Sequence, residues 1–457
     1  MPPSYCGYLS QYTHHHLVVF LLTFFSYVLL HASRKTFSNV KVSISAQWTP
    51  SIQNDSIPAF SPSQELKSMF YLLSSSQGLY LSGVVGDRVN LRYVLCFGLC
   101  GSAIVEFVFG TLTEWLHIYN IYLYCCLWVM NGLLQSAVWP CVVAVMGNWF
   151  GKAGRGFVFG LWSACASVGN ILGAFLASSV LKYGYEYAFL VTSVVQFAGG
   201  VVVFFGLLTS PKEVGKKGRN VCRFLTIEAV DPPDEPQEES PQAIGFFQAF
   251  CLPGVLPYSL AYACLKLVNY SFFFWLPFYL SNNYGWKEAE ADRLSVWYDV
   301  GGIIGGTVQG LISDFLGKRA PVLAFSLAMA MGALVGYSRS PNDQVINAVI
   351  LAVTGFFIGG PSNMISSAIS ADLGRQDALR GSQEALATVT GIVDGTGSIG
   401  AAGGQYLVSL IESRLGWMNV FYFFIVMTGG SIVFITPLLV RELRALWRDR
   451  WAQSRQL

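Results

Sequence analysis

Hydrophobic residues occur in this chain as long runs, and polar residues collect in the stretches between them. An apolar helix of ~20 residues crosses a hydrocarbon core of ~30 Å, so each such run predicts one membrane-spanning helix. The first run is too long for the apolar part of a cleavable signal peptide, and its positive charges follow it, so we expect it to remain as a helix. The runs cover residues 17–38, 69–86, 92–112, 119–146, 155–181, 186–209, 249–281, 292–313, 320–338, 345–370, 382–411 and 417–439.

Composition places the chain in the membrane. Hydrophobic residues make up 53% of the 457 residues and charged residues only 12%. The mean hydropathy is +0.49. A soluble globular domain has about twice this share of charged residues, so a soluble protein is excluded. We predict an all-α integral membrane protein of twelve helices.

Two ten-residue segments, GVVGDRVNLR at 83–92 and GLISDFLGKR at 310–319, share one pattern and start 227 residues apart. Internal repeats of this kind in a membrane protein usually flank a transport path. They predict two pseudo-symmetric six-helix halves, at 1–209 and 245–440. The repeated positions are Gly83, Asp87, Arg88 and Arg92 in the first segment and Gly310, Asp314, Lys318 and Arg319 in the second.

These repeated segments also suggest a gate. Asp87 and Arg88, together with Asp314, are expected to close the cytoplasmic side in one state through charge pairs and helix-end dipoles. An ordinary loop salt bridge is the alternative. Glycines concentrate in the fifth and eleventh helices, where they allow close backbone approach, for either sliding or static packing.

Lysine and arginine set the expected orientation, because short cytoplasmic loops hold an excess of them. With both termini in the cytosol, 18 of the 28 basic residues lie on the cytosolic side and seven on the other. The same choice places Asn54, in the sequon Asn-Asp-Ser, in the first lumenal or extracellular loop, where it could carry a glycan. Residues 441–457 form a basic cytoplasmic tail.

Residues 210–244 change composition, from a basic patch to the acidic, proline-rich EAVDPPDEPQEESP. We expect a disordered cytoplasmic linker, either a solvated tether or a regulatory segment. The ten cysteines include no C-x-x-C pair, and the run His14-His15-His16 is interpreted as a polar cap before the first helix. We expect no metal, no cofactor and no nucleic-acid partner, and leave an accessory membrane protein open.

Three basic residues lie inside predicted spans: Arg34 and Lys35 in the first helix and Lys266 in the seventh. An ionised group at this depth is costly unless it is paired or faces water. The 232 residues between Arg34 and Lys266 are close to the repeat offset, so the two are expected to face each other across the midline. Two opposed cations suit a divalent phosphate, although Arg34 and Lys35 could instead snorkel to the interface.

Acidic residues inside the spans are few. Asp299 and Asp394 lie in separate predicted helices, and we interpret them as internal charge partners. H-E-x-x-H and G-x-S-x-G patterns and paired intramembrane aspartates do not occur in the sequence, so we do not expect an enzyme.

The doubled segment resembles the motif that the major facilitator superfamily carries between helices 2 and 3 and between helices 8 and 9. Ser33-Arg34-Lys35, and GLLQSAVWPCVVAVMGNWFGKAGRG at 132–156, resemble its organophosphate:phosphate antiporter branch. Across nearly the whole chain the sequence is similar to solute carrier family 37, the vertebrate sugar-phosphate exchangers. In the bacterial branch members a second arginine lies six residues before a tryptophan; that position is Asn269 here, and their fifth-helix histidine falls on Ala166.

This resemblance implies a major facilitator fold that exchanges an organic phosphate, such as glucose 6-phosphate, for inorganic phosphate by alternating access. It implies an intracellular membrane, with the endoplasmic reticulum favoured and the endolysosomal membrane as the alternative. Arg34 and Lys266 are expected to bind the phosphoryl group, Asn269 to add a neutral hydrogen bond, and Lys35 is a further candidate for the same binding site. The competing hypothesis is a membrane scaffold or sensor that keeps the fold without transport.

Overall fold

The computed structural model describes residues 13–48, 78–118, 120–151, 155–180, 183–211, 213–214, 242–286, 288–376 and 383–454. Within these residues the chain is helical almost throughout, and the described part of each predicted span overlaps a helical segment; residues 69–77 of the second span lie outside the described residues. The N-terminal half contains six helical spans, of which α4 and α5 each consist of two segments. They are α1 His14–Trp48, α2 at 78–86, α3 Leu91–Phe107, α4 Ile121–Ser136 and Val138–Trp149, α5 Arg155–Trp162 and Cys165–Val180, and α6 Tyr185–Gly206. Helix α3 continues through a π-helical turn, Val108–Leu112, and a last helical turn, Thr113–Trp115.

The C-terminal half begins with a two-residue strand and a short helix and then repeats the six-helix pattern. Its spans are α7 Val255–Tyr284, α8 Glu288–Leu316, α9 Ala320–Ser338, α10 Gln344–Met364 with a π-helical turn Ile365–Ile369 and Ser370–Leu373, α11 Leu386–Leu415 and α12 Trp417–Ser454. The short helix is Phe246–Phe250, and strand β1 Gln242–Ala243 pairs in parallel with β2 Gln383–Glu384. The prediction of an all-α membrane protein is therefore confirmed.

Membrane-spanning character follows from length and apolarity. Among the described residues, eight helices are long and apolar enough to cross a bilayer, or nine if the bent pair Val255–Leu276 and Phe278–Tyr284 forms one span. The two parts of this pair meet at 58°, at the position of Pro277. Proline removes a backbone donor and clashes with the preceding turn, which accounts for the bend. Large apolar side chains such as Phe205 and Val426 remain exposed on outer faces, as contact with lipid requires.

Pro140 also shapes a helix. It removes the N–H that would bond the Ser136 carbonyl, and α4 is interrupted close by, at Ala137. The Ser82 hydroxyl donates to the Ser136 carbonyl at 3.1 Å instead. A side chain of α2 therefore satisfies the backbone group that the proline leaves free, which the apolar surroundings demand.

The two halves meet closely along α5 with α8 and along α2 with α11. A Cβ added at Gly156 would overlap the Gly310 carbonyl, and one at Gly160 would overlap the Gly306 carbonyl. A Cβ at Gly83 would lie 2.7 Å from the Ala387 carbonyl oxygen. Glycine is required at these crossings because a larger residue would push the halves apart.

Candidate functional site

A cavity of about 270 Å³ lies between the two halves. Arg34, Lys35, Lys266 and Asn269, the four residues predicted to bind an anion, all line it. Aromatic, amide and hydroxyl side chains from both halves complete its walls. These include Tyr27, Trp128, Trp139, Tyr262, Tyr270, Phe273, Tyr298, Asn131, Asn170, Ser362 and Asn363. The cavity can therefore offer positive charge, neutral hydrogen bonds and ring faces to one small polar molecule.

Arg34 is held by α4. Its Nε–H donates to Gln135 Oε1 at 2.6 Å. This bond uses one of the five guanidinium donors. Arg34 lines the cavity, as expected for a binding role rather than for snorkelling to the membrane interface.

Lys35 reaches across the cavity toward the other half. Its Nζ lies 5.2 Å from the centre of the Phe273 ring on α7. A lysine ammonium at this distance is attracted by the negative face of an aromatic ring. An anion that replaced this weak contact would gain a full positive charge as its partner.

Lys266 is compensated by an acid of its own half. Its Nζ donates to Asp394 Oδ1 at 2.9 Å and to Ser398 Oγ at 3.0 Å, and the residue is 3% exposed. It also lies 5.3 Å from the ring centres of Tyr262 and Tyr270. This differs from the expected arrangement of two opposed, uncompensated cations, because the charge of Lys266 is already paired in this conformation.

Asn269 and Asp299 contribute neutral and acidic groups to the same cavity. The Tyr298 hydroxyl donates to Asn269 Oδ1 at 2.7 Å, and Asn269 Nδ2 donates to Ser362 Oγ at 3.3 Å. Asp299 accepts a hydrogen bond from Ser167 of the N-terminal half at 3.2 Å. These contacts fix the amide of Asn269 and link α8 to α5 beside the cavity.

His31 was missed by the sequence analysis. Its Nδ1 lies 3.2 Å from Asn170 Oδ1, and its Nε2 has no hydrogen-bond partner among the described residues. His31 precedes Arg34 by three positions, the helical spacing of one face, which was the available signal. Ala166 also lines the cavity, so here an imidazole comes from α1 rather than from α5.

Two aspartates cap helices of the opposite half, at the end of the bundle that carries residues 83–92 and 310–319, called here the motif end. Asp87 accepts from the backbone N–H groups of Ala387 and Thr388 at 2.9 and 2.7 Å, in the first turn of α11. Asp314 accepts from those of Gly156 and Phe157 at 3.0 and 2.9 Å, in the first turn of α5. A carboxylate at a helix N-terminus satisfies orphan donors and favours the helix dipole.

The basic residues of the two segments take different roles. Arg319 donates to Asp314 at 2.7 Å and to Asp372 at 3.0 Å, whereas Arg92 pairs with Glu213 of its own half at 2.6 Å. Arg88 is exposed and pairs with no acid in the described part of the chain. Lys318 is half-buried.

Asp372 bridges the two halves at the motif end. The sequence did not predict this role. Its carboxylate pairs with Arg155 of the N-terminal half at 2.7 Å and with Arg319 of the C-terminal half. A second repeated pattern could have revealed it: GKAGRG at 151–156 and GRQDALRG at 374–381 follow equivalent helices. Asn148 extends the contact by accepting from Arg375, again across the halves.

At the motif end, burial and the groups nearby have opposite effects on the pKa of Asp87 and of Arg319. Burial raises the pKa of the Asp87 carboxyl above its ordinary value, and the hydrogen bonds from Thr388 and Ala387 work against that shift. Burial alone would lower the pKa of Arg319, but the carboxylates of Asp372 and Asp314 raise it. The carboxylates beside Arg319 therefore favour its charged form, whereas the hydrogen bonds to Asp87 offset only part of the effect of its burial.

Asp314→Ala is expected to weaken closure of the motif end by about 1 kcal/mol, the usual cost of losing a helix cap, which is roughly a fivefold shift toward the open state. The measurement is labelling from the motif side of a cysteine at Ser163, a cavity residue, in an otherwise cysteine-free protein. Asp343→Ala is the matched control, since Asp343 caps the exposed N-terminal turn of its own helix, α10, through the Ile346 N–H. Equal labelling of the two variants would contradict a gating role.

Two sequence expectations lie largely outside the described residues. Asn54 falls in the range 49–77, and most of the 210–244 linker is likewise not described. Glycosylation at Asn54 and disorder of the linker therefore stay predictions.

Comparison with known proteins places the chain in a family. The Major Facilitator Superfamily model matches residues 23–382. Proteins named Sugar phosphate exchanger 3 are 69% identical in Gallus gallus, over 98% of this chain and 97% of that protein, and 68% identical in Homo sapiens, over 97% of each. A Putative glycerol-3-phosphate transporter 5 of Arabidopsis thaliana is 40% identical over 96% of this chain and 93% of its own length.

Solved structures show the same fold at low sequence identity. A bacterial homologue of the iron transporter ferroportin, crystallised in an outward-facing state with soaked iron, has a TM-score of 0.64 at 13% identity. The match covers 91% of this chain and 98% of that chain. At this identity the likeness concerns the fold alone.

Proposed function

The chain belongs to the major facilitator superfamily, and within it we propose a secondary active antiporter that exchanges an organic phosphate for inorganic phosphate. Membership makes it a multi-pass membrane transporter and not an enzyme. The organic substrate we propose is a sugar phosphate such as glucose 6-phosphate, as the names of the relatives suggest.

The observation that carries this proposal is the placement of Arg34 and Lys35 in one cavity between the two halves. Arginine can bind two oxygens of a phosphoryl group at once, and lysine adds a point charge. Inorganic phosphate and a phosphate monoester present the same oxygens, so one site can accept both. The aromatic rings and amides of the opposite wall suit the hydroxyl groups and C–H faces of a sugar.

Strict exchange, rather than one-way transport with return of the empty carrier, follows from the free-energy cost of moving the binding site without an anion. Arg34 and Lys35 carry positive charge inside the membrane, and moving them through the closed intermediate without an anion is unfavourable. A bound phosphate of either kind removes this cost, so the loaded carrier reorients and the empty one does not. The aspartate caps join the two halves at the motif end, and in the proposed cycle this contact closes one side of the cavity.

The proposed orientation places both termini, the linker and the motif end in the cytosol. The excess of basic residues on that side supports it. We propose an intracellular membrane, with the endoplasmic reticulum favoured over the endolysosomal membrane.

Purified protein in liposomes loaded with inorganic phosphate is expected to take up a labelled sugar phosphate, and uptake should fall to background in phosphate-free liposomes. A panel of phosphorylated compounds identifies the organic substrate, and the same sugars without phosphate serve as the matched control. Uptake that is independent of internal phosphate would exclude strict exchange. No uptake of any phosphate compound, including phosphate itself, would favour the scaffold or sensor hypothesis.

A further inference from the structure

A buried polar network continues from Arg34 into the N-terminal half. Gln135, whose Oε1 accepts the Arg34 Nε–H, is fully buried. Its Nε2 donates to Ser33 Oγ at 3.2 Å and to Asn131 Oδ1 at 3.3 Å. Two acceptors around the amide nitrogen fix the direction of the amide, so that its oxygen points at Arg34.

Glu106 of α3 lies at the far end of this network. The residue is 1% exposed, and the Ser33 hydroxyl lies beside its carboxyl. Thr192 Oγ1 approaches Glu106 Oε1 at 3.4 Å, and Glu106 Oε2 has no hydrogen-bond partner among the described residues. The helix changes to a π-helical turn two residues later, at Val108–Leu112, a feature frequent at functional sites.

The hydrogen-bond donors and acceptors available at Ser33 favour a neutral carboxyl at Glu106. Ser33 has one hydroxyl proton, which points to the Leu30 carbonyl at 3.2 Å, and Gln135 fills one of its two lone pairs. A protonated Glu106 can donate to the second lone pair. An ionised Glu106 would be a buried charge without an ion pair in the described part of the chain, an arrangement that is strongly disfavoured inside a membrane.

We propose that Glu106 is a positioning residue for the anion site: a neutral carboxylic acid that acts through Ser33 and Gln135 to orient Arg34. The Nε–H of Arg34 is then committed to Gln135, which fixes the plane of a guanidinium group that lines the cavity. The inference rests on the proposed function, since it assumes that Arg34 binds a phosphoryl group.

The test measures half-saturation by inorganic phosphate, both as protection of the detergent-solubilised full chain against thermal unfolding and as the KM of exchange. Glu106→Gln keeps size and neutral hydrogen bonding, and should stay within about twofold of the wild type. Glu106→Leu should raise half-saturation and KM by roughly 3- to 10-fold, the range of one buried hydrogen bond, with little change in maximal rate. If Glu106→Leu does not fold, Ser33→Ala breaks the same connection with less change in volume and should give the same result.

Gln196→Leu is the matched control. Gln196 is also fully buried in the N-terminal half, donates to the Leu99 carbonyl at 3.0 Å, and has an unpartnered side-chain oxygen, but it does not contact Gln135 or Arg34. This variant should change the melting temperature without changing half-saturation by phosphate. A purely structural Glu106 would behave in the same way as this control.

The outcomes separate the inference from the function on which it rests. Unchanged half-saturation in Glu106→Leu, with a clear loss in Arg34→Ala, would overturn the inference alone. Equal impairment of Glu106→Gln and Glu106→Leu would overturn the neutral-acid assignment. No protection of the wild type by millimolar phosphate would overturn the proposed function, and the inference with it.

Discussion

Exchange of phosphate by Arg34→Lys is expected to fall by at least tenfold, although the variant should fold and reach its membrane. Lysine keeps the charge but lacks the planar fork that binds two phosphate oxygens, and it also lacks the Nε–H that Gln135 accepts. Loss of one hydrogen bond to a charged group costs about 1.5–3 kcal/mol, which corresponds to roughly 10- to 100-fold in affinity.

The measurement is counterflow in liposomes, normalised to the amount of folded protein. Arg414→Lys is a suitable control, because Arg414 is exposed at the C-terminal end of α11. Near-normal exchange by Arg34→Lys would show that bidentate recognition is not used. Near-normal exchange by Arg34→Ala would show that the residue has no part in binding.

Asp394→Leu is expected to destabilise the protein by about 3–5 kcal/mol, the cost of leaving a buried charge without its partner. Lys266 would then be an ammonium without an ion pair at 3% exposure, and its remaining oxygen neighbours would be Ser398 Oγ at 3.0 Å and the backbone carbonyl of residue 394 at 3.4 Å. Lys266→Met should cost a similar amount, because it leaves the Asp394 carboxylate alone. The double variant should recover most of the loss, since neither charge then remains buried.

Thermal unfolding in detergent, with and without phosphate, measures both stability and binding in this series. If Lys266 also contacts the anion, the double variant should be stable but bind phosphate more weakly than the wild type. The Arg92–Glu213 pair, in which both side chains are 27% exposed, is the control, and its loss should cost no more than about 1 kcal/mol. Additive losses from the two single substitutions would contradict a coupled pair.

Helix number could be predicted from the sequence, because an apolar run of sufficient length is a local signal of a membrane span. The repeated aspartates predicted charge pairs and helix-end contacts at the motif end, but not which helices they cap, because Asp87 and Asp314 cap helices of the opposite half. The cations in the spans were recognisable for the same reason, since a charge in an apolar run is visible without knowledge of the fold.

Asp394 was predicted to be an internal charge partner, but its pairing with Lys266 could not be predicted, because the two residues are 128 positions apart and lie on different helices. Lipid-facing and packed faces of membrane helices are both apolar, so hydrophobic periodicity does not reveal which way a side chain points. For the same reason the sequence did not predict the roles of Asp372, His31 and Glu106. These roles depend on how each helix is rotated and on neighbours from other helices.

The contacts that close the motif end and the residues that line the cavity form separate sets. Asp87, Asp314, Arg155, Arg319 and Asp372 lie outside the cavity lining, and Arg34, Lys35 and Lys266 take no part in the caps. Under the roles proposed here, substitutions in the first set should alter turnover and substitutions in the second set should alter substrate choice. Turnover and selectivity could then change independently of each other.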